Sequence, residues 1–265
     1  MKLKDKKLFL LDMDGTIYID DKLFDGVLEF LDGIHERGGR YIFMTNNSSK
    51  GVEQYIEKLG RLGINALPED FVTSVDATAA FLEKRKDEKI YMMGTASFTK
   101  QMKDMGFNII DTPDEDVEIV LCGFDRELTY KKLEDVCKLL STGSRDFFAT
   151  NMDWVCPVEF GYVPDCGSMC FMIEKATGRK PQFIGKPAAD MPLLAIKRTE
   201  FSKEETLVVG DRLYTDIACG INAGIDTCFV LSGEGSVDDI SLTGIEPTYV
   251  FDNIKELNRR IEDET

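Results

Sequence analysis

Asp12 and Asp14 stand two residues apart at the end of the apolar run Leu8-Phe9-Leu10-Leu11, and Gly15 and Thr16 follow them. Residues two apart on a strand share a side, so both carboxylates converge on one site. Acids are costly to bury unless paired, hydrogen-bonded or holding a cation, and two like charges this close repel. In this order the residue types suit group transfer. Asp12 would be a carboxylate nucleophile, Asp14 an acid/base, and Gly15 would let the backbone approach a ligand. Two solvated acids at a strand end are the plain alternative, and the full order Asp-x-Asp-Gly-Thr outweighs it. A calcium loop competes and fails, because an EF-hand needs its glycine sixth, whereas Gly15 is fourth counting from Asp12.

Three further segments end apolar runs with residues that handle phosphate or metal. Thr45-Asn46 offers a hydroxyl and amide donors at a strand-to-helix turn, where free backbone N–H groups favour an anion. Lys186 is a positive charge held between Gly185 and Pro187. Asp211 follows Leu207-Val208-Val209-Gly210 and repeats the strand-then-acid pattern of Asp12, which favours a metal ligand; Asp216 flanks the same turn. Singly, each has a structural explanation: Asn, Thr and Asp cap helices, and lysines decorate surfaces. Together they share a location, because ligands of open α/β sheets bind beyond the carboxyl ends of the strands. Asp12, Asp14 and Asp211 are hard oxygen ligands without sulfur or imidazole beside them, which points to Mg2+ rather than zinc. The single histidine, His35, lies on a predicted helix far from these segments, and histidine-based triads are excluded.

The elements that must position these residues alternate between strand and helix. Strands are predicted at 8–11, 41–44 and 71–73, with a small flap at 16–22 and a helix capped by Asp25 that carries Val27, Phe30, Leu31 and Ile34 on one face. After the charge run Arg85-Lys86-Asp87-Glu88-Lys89 the alternation restarts, with strands at 90–93, 107–110, 117–122 and 147–151. Met152 to Gly167 is read as a loop, and a helix covers 169–177. Strands at 206–209, 227–231 and 249–251 and a terminal helix near 254–262 complete the pattern. The fold class is α/β: a Rossmann-like parallel-sheet core over 1–85 plus 180–265, resuming near Phe183, with a second α/β domain inserted at 86–179.

Composition narrows the partners. A net charge of −16, from 48 acids against 32 bases, argues against nucleic acid and requires a local positive centre for any anionic substrate. No apolar stretch is long enough to span a bilayer, and the basic start Met1 to Lys7 precedes too short an apolar run for a signal peptide. Seven scattered cysteines without a CxxC pair indicate reduced thiols and a cytoplasmic protein.

In order, the four segments resemble the four motifs of the haloacid dehalogenase superfamily of aspartate-nucleophile phosphohydrolases. The resemblance implies that Asp12 is the nucleophile and Asp14 the general acid/base, whose backbone carbonyl also meets Mg2+. It implies that Thr45, beside Asn46, binds phosphate through its hydroxyl, that Lys186 binds phosphate, that Asp211 is a side-chain metal ligand and that Asp216 supports the metal site from behind. An insert between the second and third motifs resembles the C2-capped subclass. Thr45-Asn46-Asn47-Ser48, Ala176 to Pro181 ahead of Ile184-Gly185-Lys186-Pro187, and Gly210 to Ile217 are similar to the NagD / para-nitrophenylphosphatase-like branch. Where that branch usually reads Asn-Pro-Asp this chain has Asn151-Met152-Asp153, and its glycine-rich cap loop is thinned to Pro164-Asp165-Cys166-Gly167-Ser168. Both departures bear on the substrate. Asn151, Asp153 and Asp165 are the expected specificity residues of the cap, on a long irregular loop.

The implied protein is a magnesium-dependent phosphatase of small phosphomonoesters, such as sugar phosphates or nucleotides, acting through an aspartyl phosphate. Two copies are expected to pair through the cap. A phosphotransferase or mutase on the same core is the nearest alternative, and a catalytically silent binding module is a more distant one. The intact set Asp12, Asp14, Lys186 and Asp211 weighs against silence. A nucleotide-cofactor enzyme is disfavoured because no G-x-G-x-x-G follows a predicted strand.

Overall fold

The computed structural model describes residues 2–158 and 160–264. By contacts the chain divides into two compact units. One comprises the chain up to Thr45, Val52–Val72 and everything from Lys186 onward; the other comprises Asn46–Gly51 and Thr73–Gly185.

The first unit is built on six strands in the order Tyr249–Phe251, Asp226–Val230, Thr206–Gly210, Leu8–Leu11, Arg40–Thr45 and Phe71–Thr73. Leu8–Leu11 is central and parallel to both neighbours, with Leu11 level with Val209 on one side and Phe43 on the other. All four of its residues are buried, which is why the run is apolar throughout instead of alternating. Phe9 and Leu11 pack against Phe30, Leu31 and Ile34 of the helix Val27–Glu36 and against Leu257 and Ile261 of the helix Ile254–Glu264. Phe9 and Phe30 meet edge to face at 5.4 Å. The chain runs outward to Arg40–Thr45 and Phe71–Thr73, then returns to Thr206–Gly210 on the opposite side. Strand order therefore reverses at Leu8–Leu11, the place where such sheets open a crevice at their carboxyl ends.

The second unit has a five-stranded sheet, parallel throughout, in the order Gln182–Phe183, Asp146–Ala149, Ile119–Cys122, Ile90–Met93 and Ile109–Ile110. Tyr91, Met93, Val120 and Cys122 pack under Val136 and Leu139 of the helix Tyr130–Ser141 and under Met169 and Ile173 of the helix Cys166–Thr177. Among the described residues no helix is long and apolar enough to cross a membrane.

The α/β class and the parallel sheets agree with the sequence reading, and several details differ. Met152 to Gly167 is not a plain loop: Val155–Val158 pairs antiparallel with Gly161–Pro164. Their pleat is half exposed and reads weakly in sequence. Gln182–Phe183 pairs with Phe148 and Ala149 in the second sheet, so the chain re-enters the first unit at Lys186 and not near 180. The helix Ser74–Phe81 also groups with the second unit. The first helix is capped by Gly26 in the left-handed region, while Asp25 pairs instead with Lys255 at 2.7 Å. Of the predicted strand 107–110, Ile109–Ile110 forms the strand, paired with Ile90 and Tyr91.

Candidate active site

Lys186 holds the centre of the crevice in the first unit. Its Nζ donates to Asp12 Oδ1 at 2.5 Å, to Asp216 Oδ1 at 2.7 Å and to the Met44 carbonyl at 3.2 Å. Asp12 is fixed by the end of the central strand, where its N–H donates to Val209 O at 2.9 Å. Asp216 lies on the π-helical turn Leu213–Ile217, and its Oδ2 accepts from the Arg212 N–H at 3.1 Å. π-turns of this kind concentrate at functional sites. Burial works against the Lys186 ammonium, but Asp12 and then Asp216 outweigh it and raise its pKa above the usual lysine value. Lys186 is therefore a fixed cation.

Asp211 is gripped from two sides. Its Oδ2 accepts from the Glu234 N–H at 2.7 Å and its Oδ1 from the Thr16 hydroxyl at 3.3 Å, while its carbonyl accepts from the Gly235 N–H at 3.1 Å. A Cβ on Gly233 would sit 2.0 Å from Asp211 Oδ2, so only glycine lets this strap close on the carboxylate. The strap also reaches the first motif, where Ser232 Oγ donates to the Gly15 carbonyl at 2.8 Å. Gly15 itself has φ +88°, a conformation that side chains strain, and a Cβ there would lie 2.4 Å from Asp211 Oδ2.

Oxygens of Asp12, Asp211 and Asp216 lie within 4.8 Å of one another. Burial, then repulsion from Asp216, pushes the Asp12 carboxyl well above the usual range, against the pull of Lys186. Burial and Asp216 likewise push Asp211 up to about 6, against the Glu234 amide. Three carboxylates against one ammonium leave two uncompensated negative charges, a deficit that one divalent cation fills. The donor set is all oxygen, which fits a hard cation. Asp14 is not part of this carboxylate cluster. Its side chain is half exposed and lies 3.9 Å from Lys58 Nζ, which also sits 3.5 Å over the Tyr18 ring. The half-exposed Asp14 carboxylate is open to solvent, which suits an acid/base.

The other expected residues divide between the units. Thr45, buried, closes the strand Arg40–Thr45 in the first unit. Asn46 groups with the second unit, and its amide donates to Asp153 Oδ2 at 2.7 Å. Asn151 donates to Asp153 Oδ2 at 2.8 Å and to Asp165 Oδ1 at 3.0 Å, and Asp165 also caps the helix Cys166–Thr177. Asn46, Asn151, Asp153 and Asp165 thus form a buried network that pins the hairpin's base. Trp154, Phe160 and Tyr162 are exposed aromatics of that region. Sequence reasoning missed Thr16, Lys58, Ser232, Glu234 and these aromatics. Thr16 alone carried a signal, as part of Asp-x-Asp-Gly-Thr.

Comparison with known proteins agrees with this geometry. Residues 9–108 match a family described as haloacid dehalogenase-like hydrolase, and residues 183–257 match a HAD-hydrolase-like family. An acid sugar phosphatase of Staphylococcus aureus (strain MRSA252) is 35% identical over 261 residues, covering 98% of this chain and all of that protein. A solved 4-nitrophenylphosphatase from Thermotoga maritima is 40% identical with a TM-score of 0.90, covering 97% of this chain and 98% of that one. NagD from Escherichia coli K-12 is 32% identical with a TM-score of 0.85, over 97% of this chain and 98% of that one.

Proposed function

Because the chain belongs to the haloacid dehalogenase-like hydrolase family, we propose that it is a metal-dependent phosphatase of small phosphomonoesters, with sugar phosphates the first class to test. The observation that carries this reading is the buried constellation of Asp12, Lys186, Asp216 and Asp211 where strand order reverses. Asp12 attacks phosphorus, a P–O bond to the leaving oxygen breaks, and Asp14 donates the proton that oxygen takes. Asp14 then removes a proton from water as it attacks the aspartyl phosphate, which releases inorganic phosphate and restores Asp12. Lys186, Thr45 and Asn46 are assigned to the phosphoryl oxygens. Asp12, Asp211 and the Asp14 backbone carbonyl are the ligands assigned to Mg2+, with Asp216 supporting them. When bound there, Mg2+ neutralises the cluster and the charge on the phosphoryl group.

The second unit, chiefly Thr73–Gly185, is assigned the role of a cap that selects substrates, and the protein a cytoplasmic setting, which seven free cysteines support. Steady-state release of inorganic phosphate from a panel of esters with Mg2+ tests the reading. Chelation stops turnover, Mg2+ restores it, and Ca2+ does not, since its looser coordination spoils the attack line of Asp12. A protein that released no phosphate from any ester under these conditions would overturn it.

A further inference from the structure

Lys58 reaches the first motif from a distant part of the chain. It lies on the helix Val52–Arg61, whose Tyr55 and Leu59 are buried in the core of the first unit. Tyr55 stacks on Phe71 of the edge strand, with ring centroids 6.2 Å apart. Residues three apart on a helix are neighbours, so the packing that seats Tyr55 also sets where Lys58 emerges. Its ammonium sits 3.5 Å over the centroid of the Tyr18 ring and 3.9 Å from Asp14 Oδ1. A ring face attracts a cation at that range.

Tyr18 is fixed to the turn that carries Asp14. Its side chain is fully buried, its N–H donates to the Met13 carbonyl at 3.3 Å, and its carbonyl accepts from the Gly15 N–H at 2.9 Å. Those two bonds close the turn on either side of Asp14, and the same turn presents the ring on which the lysine rests. Ring, ammonium and carboxylate thus follow one another in a chain of contacts. The Asp14 side chain is half exposed, a setting in which a carboxylate ordinarily samples several rotamers. An ion pair this open adds little stability. What it adds is direction.

We propose that Lys58 is a positioning residue for the acid/base: its ammonium, seated on Tyr18, holds Asp14 in the rotamer from which a proton reaches the leaving oxygen. This rests on the phosphatase reading and adds a residue to it. In the first step the bond from Asp12 to phosphorus forms, the bond from phosphorus to the leaving oxygen breaks, and the Asp14 proton moves to that oxygen. Lys58 itself exchanges no proton.

The test compares kcat/KM for phenyl phosphate and 4-nitrophenyl phosphate, both with Mg2+, in the parent and in Lys58→Met. This quantity covers the steps up to departure of the leaving oxygen, and the more basic phenolate depends more on a delivered proton. Lys58→Met is expected to lose about fivefold or more on phenyl phosphate relative to 4-nitrophenyl phosphate. Lys58→Arg, which can also cover the ring and pair with Asp14, should recover most of that loss. The ratio between esters does not depend on how much enzyme is folded, so a merely structural role would leave it unchanged. In the Asp14→Asn background, Lys58→Met should add less than about twofold on phenyl phosphate, because groups that act as one are non-additive. An unchanged ratio between the esters overturns the proposal. So does a full additional loss in the Asp14→Asn background, which would make Lys58 act on the substrate directly. A parent that releases phosphate from neither ester fails the phosphatase reading itself, and this proposal with it.

Discussion

Asp12 carries the heaviest demand of any single residue, since it must be ionised to attack and yet is held among two other acids. Asp12→Asn is expected to lower kcat by about a thousandfold or more, roughly 4 kcal/mol of barrier. Its metal-free melting temperature should match or exceed the parent's, because a buried charge is removed while Asp216 still pairs with Lys186. Normal turnover in this variant would end the covalent mechanism. Asp14→Asn should lose least on esters with acidic leaving groups, and a uniform loss across leaving groups would make Asp14 chiefly a metal-site residue. The raised pKa of Asp211 has a sign that calorimetry can read. A carboxyl at about 6 in the folded chain, above its unfolded value, means that the folded state binds more protons through that interval. The metal-free protein therefore loses stability as pH rises from about 4 to about 6, by roughly 3 kcal/mol for this group. The increase in Tm caused by Mg2+ should accordingly be larger at pH 7 than at pH 5, and an equal increase at both would place the penalty elsewhere.

At the scale of elements, the strap Ser232–Gly235 does for Asp211 what the central strand does for Asp12: it fixes a carboxylate from the backbone. Gly233→Ala must push the strap or Asp211 aside, and metal affinity should fall about tenfold or more with little change in secondary structure. Gly60→Ala is the control, since open space surrounds it on the helix Val52–Arg61, and it should raise stability by about 0.5–1 kcal/mol. Equal metal affinity in the two variants would show that the strap is not a support. None of this was readable from the sequence, although three of the four strand ends were; the fourth, ahead of Lys186, belongs to the second sheet. Leu8–Leu11 and Leu207–Val209 announce themselves because a strand covered on both faces must be apolar at every position. Ser232 and Glu234 act through a hydroxyl on a carbonyl and a backbone N–H, contacts that leave no pattern in residue types. The hairpin after Trp154 escaped for a related reason. Its strands are half exposed, Phe160 stands in its turn, and its polar anchors Asn151, Asp153 and Asp165 look alike whether they face a ligand or one another.

For the molecule as a whole, that network redirects the search for substrate selection from acids to aromatics. Asp153→Ala should cost the second unit about 1–3 kcal/mol by leaving Asn46 and Asn151 short of an acceptor. Phe160→Ala and Tyr162→Ala, both largely exposed, should leave Tm nearly unchanged while reordering a panel of phosphate esters; an unchanged order would move selectivity off this hairpin. The pairing of Leu8 with Thr206 has a consequence for how the chain is made. Leu8–Leu11 acquires Arg40–Thr45 early, but its other neighbour leaves the ribosome nearly two hundred residues later, about 10–40 s at typical rates of ~5–20 residues per second. The whole of the second sheet, ending at Phe183, emerges within that interval. The strand that carries the nucleophile must therefore wait with one edge unpaired while every strand of another sheet has already been made. An apolar edge left open that long is a template for wrong partners, and nascent chains stalled near residue 200 are the species on which chaperones should be found.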